Sequence, residues 1–174
     1  MRETLTQPTG RERVWGDEEI IVSKTDVRGI ITYANRTFLD VSGYSEEEMV
    51  GRPHNVLRHP DMPRCIFKLL WDAVEAGKEV FAYIKNLAKN GDHYWVFAQV
   101  TPTFDTRGRI IGYHSNQRCP TRHHVRVFGD LYLQLRSEEQ RYADRQMGMT
   151  AGGEMLQKIV DRKKLAYDAF VLSS

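Results

Sequence analysis

The chain has 174 residues, enough to bury a real hydrophobic core in one domain with extensions, and short of two full domains. Its residues are 41% hydrophobic and 28% charged, as in an ordinary globular protein, and a net charge of +2 is too small to point to nucleic acid as a partner. No apolar run approaches the ~18 residues of a membrane helix, and MRETLTQPTGRERVW lacks a signal-peptide core, so the expected location is cytoplasmic with no membrane span.

Residues 1–18 are polar and read as an N-terminal cap or tail, with Trp15 placed to dock on the domain. Glu19–Asp26 is a β-branched run and predicts a strand. Val27–Gly29 turns the chain, and Gly29–Asn35 returns as the second strand of a hairpin. Asn35 stands where a helix cap belongs, ahead of Phe38, Leu39 and Val41, and Gly43 ends that helix. Ser45 followed by Glu48 is a capping box for a second short helix, stopped by Gly51. The next stretch, GRPHNVLRHPDMP, crowds Pro53, Pro60 and Pro63 together with His54, Arg58, His59 and Asp61. Proline removes a backbone donor and clashes with the preceding turn, so this span is irregular, the type of polar loop that carries sites on a rigid scaffold.

Arg64–Gly77 then repeats apolar residues (Ile66, Phe67, Leu70, Trp71, Val74) at helical spacing. Glu79–Ala88, His93–Asp105 and Arg109–Arg118 read as three strands joined by Asn90-Gly91 and Thr106–Gly108, an antiparallel meander. Residues 19–120 are therefore expected to form one α+β domain: a five-stranded antiparallel sheet with short helices on one face. Residues 121–174 predict two amphipathic C-terminal helices, His123–Met147 and Gly152–Leu172, separated by Gly148–Gly153. Their apolar faces need a partner: this domain, a second copy in a homodimer, or another protein.

Catalytic signatures are missing. There is no GxGxxG, HExxH, phosphate loop or nucleophile triad order, and the ~50 residues beyond the sheet are too few for a catalytic output domain. Cys65 and Cys119 form no CxxC and read as reduced, ordinary residues. His123 and His124 are adjacent, so they point apart and make a poor metal clasp.

DVRGIITYANRTFLDVSGYSEEEMVGRPHNVLRHPDMP, KNGDHYWV and GRIIGYHSNQR together resemble a PAS domain, specifically the FAD-binding PAS sensor of bacterial aerotaxis receptors. The resemblance covers about Ile20 to Arg122, and RHPDMP with KNGDHYWV is its most specific part. It implies the PAS fold, a non-covalent flavin in a pocket between helices and sheet, and redox or oxygen sensing passed on by protein contacts. The partner would be a chemoreceptor, another signalling protein or a second copy.

FAD needs an apolar slot for its ring, polar groups at the ring edge, and cations or backbone donors for its pyrophosphate. In the aerotaxis group the YAN asparagine and the Arg, His and Asp of RHPDMP are associated with FAD; here these are Asn35, Arg58, His59 and Asp61. Structural roles compete: Asn35 and Asp61 as helix caps, Arg58 with Asp61 as a surface pair. Trp71 reads as core first on the longer helix, and is also a candidate cofactor-binding residue. Asn86 and Gln117 are strand amides able to meet a flavin edge, and one of Tyr94 and Trp95 must face the pocket. The chain departs from the group at Glu79–Ala88: Val80 takes the place of a flavin-associated tryptophan, with Phe81 available to fill part of the slot, and Leu87-Ala88 replaces a basic pair. Blue-light PAS domains that form a flavin–cysteine adduct carry GRNCRFLQ where this chain has GRPHNVLR, with His54 in the cysteine's place. A haem PAS sensor using His54 or His59, and a PAS docking module without cofactor, are the alternatives.

Overall fold

The structure, a computed structural model, describes residues 6–173; residues 1–5 of the expected N-terminal tail lie outside them. In chain order the elements are β1 (Ile21–Thr25), β2 (Ile31–Ala34), α1 (Arg36–Ser42), α2 (Glu46–Met49), a 3-10 turn (His54–Leu57), α3 (Arg64–Glu75), β3 (Val80–Leu87), β4 (His93–Phe104), β5 (Ile110–Arg118), α4 (Arg122–Glu139), α5 (Arg145–Arg162) and α6 (Tyr167–Ser173).

The five strands form one antiparallel sheet of order β2-β1-β5-β4-β3, so the first hairpin joins the meander through β1 and β5. Two hairpin turns use the same chemistry. The Asp26 carboxylate accepts from the Arg28 and Ile30 N–H groups, and the Asp105 carboxylate from those of Arg107 and Arg109. Each acidic side chain thereby satisfies backbone donors that a tight turn would leave open. Gly112 allows β5 to run against β1, since a Cβ there would lie 2.3 Å from the Thr25 carbonyl oxygen. Gly112→Ala is expected to destabilise the protein by about 1–3 kcal/mol, through forced separation of β1 from β5. Urea midpoints of the two proteins measure the change, and equal midpoints would show that the strand pair can give.

The short helices follow their caps. Asn35 accepts from the Phe38 N–H and starts α1; Gly43, at φ 75°, closes it in the left-handed region. Ser45 and Glu48 complete the reciprocal capping box of α2. Phe38, Met49, Leu57, Ile66 and Val74 from these elements are buried with Ile21, Ile31, Val80, Tyr94 and Val96 of the sheet, and this is the main core. Trp15 docks as expected, its indole N–H donating to the Trp95 carbonyl.

The C-terminal region differs from expectation. The break falls at 140–144, Gly148–Gly153 lies inside α5, and a further break at 163–166 sets off α6. Asp144 caps α5 by accepting from the Met147 N–H. Glycine lowers helix propensity, but here its lack of a side chain is what the packing requires: a Cβ on Gly148 would lie 2.3 Å from the Glu139 carbonyl oxygen. Close packing outweighs the propensity cost. All three helices pack on their own domain, with Phe128, Leu131, Leu135, Leu156, Val160, Phe170 and Val171 in the shared core. α4 also covers edge strand β3, where the Tyr132 hydroxyl donates to the Tyr83 carbonyl at 2.6 Å.

Candidate functional site

Strand alternation decides which side chains face the helices. Ser23 pairs with Ser115 across β1 and β5, Asn86 with Tyr94 across β3 and β4, and directly opposed residues share a face. The inner face therefore carries Ser23, Asn86, Tyr113, Ser115 and Gln117, and α3 supplies the opposite wall with Phe67, Leu70, Trp71 and Val74. Between them lies a cavity of about 540 Å³, inside the roughly 300–1,000 Å³ span of ligand pockets. The 3-10 turn closes one side with Pro53, His54, Asn55 and Arg58, and Met149 reaches in from α5.

The polar groups of the sheet wall sit deep. Asn86 is buried at 4% exposure and Gln117 at 3%. The Gln117 amide donates to the Ser115 hydroxyl at 3.1 Å, while its buried Oε1 has no hydrogen-bond partner. A buried amide oxygen without a donor is costly, so it marks a place where a ligand donor would be welcome. Trp71 lies edge-on to Tyr113, with ring centroids 5.4 Å apart, and covers Gly29 of the first turn. The cavity thus combines an aromatic and aliphatic wall with a few amides and hydroxyls on the other side.

A second, more polar groove of about 1170 Å³ adjoins it, and the two share Asn55, Arg58 and Arg64. Arg52, Lys89, Arg136 and Arg145 also line the groove. The Arg58 guanidinium lies 4.1 Å above the Phe67 ring, and among the described residues neither Arg58 nor Arg64 has a hydrogen-bonded or ion-paired side chain. Burial pulls the Arg58 pKa down, the Glu139 carboxylate opposes this, and Arg64 adds to it. The group remains a cation at the junction of the two spaces.

The expected site residues fall into three groups. Trp71, Asn86, Gln117 and Arg58 meet at the first cavity. His59 faces the groove, buried at 3% exposure, and its Nδ1 accepts from the Asp61 N–H at 3.1 Å. Burial first, and then the charge of Lys85, lower its pKa to about 4, so the ring is neutral near pH 7. The Asp61 carboxylate lies 3.5 Å from the same nitrogen, yet with Nδ1 already an acceptor this is no charge pair.

Asp61 and Asn35 line neither space. Asp61 accepts from Lys85 Nζ at 2.9 Å and from Arg136, tying α4 to β3. Burial pushes its pKa up, but the Lys85 hydrogen bond and the surrounding cations outweigh this and hold it low. It neither caps α3 nor pairs with Arg58. Asn35 accepts from the Phe38 and Val22 N–H groups and donates to the Ile20 carbonyl, which commits its amide to the fold. Phe81 does not enter the slot; it stacks on Phe97 on the other face, because alternation turns Val80 inward and Phe81 outward. Tyr94 faces inward and Trp95 outward against Tyr132, for the same reason.

The sequence reading missed Ser23, Ser115 and Met149 as lining residues, and His54, singled out there as a candidate haem ligand, does line the cavity. For Ser115 the signal was present, as it shares the parity of Gln117 on β5; Ser23 joins that face only through its register opposite Ser115. Met149 had none, because only the path of α5 brings it there. No cysteine lines the cavity among the described residues. Cys65 is buried elsewhere, with burial pushing its thiol up to about 12, so adduct chemistry has no thiol at this site.

Residues 31–116 match the family model described as the PAS fold. The chain contains a PAS domain. The aerotaxis receptor of Escherichia coli (strain K12) is 41% identical over 119 residues, covering 68% of this chain and 23% of that receptor. The chain thus spans under a quarter of the length of this relative. Among solved structures, the light state of the blue-light photoreceptor Aureochrome1 LOV is similar at 25% identity and a TM-score of 0.57, covering 63% of this chain and 88% of that one. A PAS domain from Colwellia psychrerythraea is similar at 26% identity and a TM-score of 0.54, covering 59% and 86%. No helix of the described residues is long and apolar enough to cross a membrane.

Proposed function

We propose that this PAS domain is a cytoplasmic redox or oxygen sensor that holds FAD non-covalently and signals through changed protein contacts. The observation that carries this reading is the adjoining pair of spaces: an aromatic-walled cavity lined by Gln117 with its orphan buried Oε1, and a basic groove that shares Arg58 and Arg64 with it. The residues fit the cofactor in kind. Trp71, Leu70 and Phe67 would cover the flavin ring, with Asn86, Ser115 and Gln117 at its polar edge. Arg58 and Arg64 would meet the pyrophosphate, and the groove would take the adenosine end. His59 and Asp61 act one step back, holding the loop that presents Arg58. Asn35 acts further back, tying the start of α1 to β1. The 41% identity to an aerotaxis receptor favours flavin over the other occupants of PAS cavities.

A flavin supplies redox chemistry, with proton uptake on reduction. The chain's own part is to exclude water from the ring, orient its edge on the strand amides, and convert a changed hydrogen bond at Gln117 or Asn86 into a shift of the wall helix. Coupling of this kind is limited by the difference in affinity of the two redox states for the two conformations. The output would be an altered contact of residues 120–172 with a chemoreceptor, another signalling protein or a second copy in a homodimer.

The absorption spectrum of the purified protein tests the reading. Expected is the two-banded visible spectrum of an oxidised flavin, with FAD released on denaturation. A single intense Soret band would replace the flavin with haem, for which His54 is the one histidine on the cavity wall among the described residues. A colourless protein that takes up no added FAD would leave a docking module without cofactor.

A further inference from the structure

Three helices meet at one buried carboxylate. Glu139, the last residue of α4, is 6% exposed. Its Oε2 accepts from the Arg64 N–H at 3.0 Å and its Oε1 from the Cys65 N–H at 2.8 Å. These are the first two amides of α3, whose preceding residue, Pro63, offers no side-chain cap. The N-terminus of the cavity-wall helix is thus capped from 75 residues away by the end of a C-terminal helix. On its other side the carboxylate is pressed by α5: a Cβ on Gly152 would lie 2.8 Å from Glu139 Cγ, 3.1 Å from its Oε1 and 3.2 Å from Cys65 Sγ. One turn earlier on α5, Met149 lines the cavity itself.

We infer that Glu139 is the positioning residue through which occupancy of the cavity sets the docking of the C-terminal helices α4 and α5. The inference rests on the proposed flavin reading for its ligand, and on the geometry alone for the latch. The wall helix α3 touches any occupant through Phe67, Leu70 and Trp71. A tilt of α3 moves the two amides that Glu139 holds. The carboxylate cannot follow freely, because Gly152 leaves it no room, so α5 must move with it or release. An occupant that steadies α3 therefore steadies α4 and α5, and a change in the occupant's edge hydrogen bonds loosens them. A surface contact would not behave in this way; a buried, doubly bonded carboxylate between two helices has few alternative positions.

Hydrogen exchange on the full chain, with and without saturating FAD, tests this in the parent protein and in Glu139→Ala, Glu139→Gln and Gly152→Ala. Bound flavin is quantified in every sample. In the parent, FAD is expected to slow exchange across 145–162 at least tenfold. In Gly152→Ala, which changes no residue lining either space, flavin should still bind and the slowing should be lost. Glu139→Ala should expose the Arg64 and Cys65 amides and lose the slowing as well. Glu139→Gln, which keeps only one acceptor, is read in its place should the alanine variant not fold. A parent with bound flavin and unchanged exchange in 145–162, or variants that keep the full slowing, would overturn the inference. A parent that binds no FAD would end the flavin reading instead. The latch is then judged on the bare chain: faster exchange at 64–65 and 145–162 in the Glu139 variant supports it, and unchanged exchange there overturns it.

Discussion

Arg58→Ala is expected to lower FAD affinity roughly 10- to 100-fold, the equivalent of the ~1.5–3 kcal/mol of a hydrogen bond to a charged group. Riboflavin affinity should fall far less. The reason is position. Arg58 stands where the cavity meets the basic groove, its guanidinium over Phe67 and without an ion-paired anion among the described residues. A half-buried cation of this kind gains most from an anionic group that the ligand brings, and riboflavin brings none. Arg58→Lys should recover only part of the loss, since an ammonium restores the charge but not the planar fork. Titration of the flavin-stripped protein with FAD, FMN and riboflavin separates the possibilities. Equal losses for all three would assign Arg58 to the cavity wall, through its packing on Phe67, and remove it from the phosphate role.

Acidification from neutral to about pH 4 is expected to cost the fold roughly 3 kcal/mol through His59 alone. Above its ordinary pKa of 6.5 the imidazole is neutral in both folded and unfolded chains and contributes no slope. Below that value the unfolded chain takes up a proton, whereas the folded chain refuses it until about pH 4, because burial and the nearby Lys85 charge disfavour the cation. The unfolded state binds more protons throughout this window, so stability falls as the pH falls, and the slope ends near pH 4. Asp61 acts in the same direction only lower down: its pKa is held below 3.8, so its ion pairs persist until the pH passes under that value. Urea midpoints at pH 7 and about 4.5 for the parent and for His59→Gln measure the effect. The variant should show a much flatter dependence, and an equally steep one would place the acid sensitivity in another group.

The two predictions concern neighbouring residues that the sequence presents as one motif and the fold divides. RHPDMP reads as a cluster facing one ligand. Folded, Arg58 points to the cavity junction, His59 turns into the loop to hold the Asp61 amide, and Asp61 reaches out to Lys85 and Arg136. The prolines on either side make the stretch irregular, so consecutive side chains diverge without a helical or strand period to predict their directions. A ligand-binding phenotype at Asp61 would therefore arise through α4 and β3 rather than by contact.

Local patterns in the sequence were sufficient for the elements of the PAS domain. The hairpin turns, the Asn35 cap, the capping box and the apolar spacing of α3 are interactions between residues near in sequence, and each formed where its pattern stood. Asn86 and Gln117 were legible as strand amides, but the register across β3, β4 and β5 is what brings them to one face. What the sequence alone could not decide was anything set by contact between distant segments. The glycines of 148–153 read as a break because their local propensity is poor, yet the closeness of α5 to Glu139 makes them the residues that fit. Asn35 and Asp61 were carried as ligand groups by the family resemblance, and in the fold their polar atoms are engaged by tertiary hydrogen bonds. Glu139 offered no signal at all, since a glutamate at the end of a helix is ordinary until another helix begins against it. Local propensity specifies where an element starts; only the packed chain specifies which polar groups it leaves for a ligand.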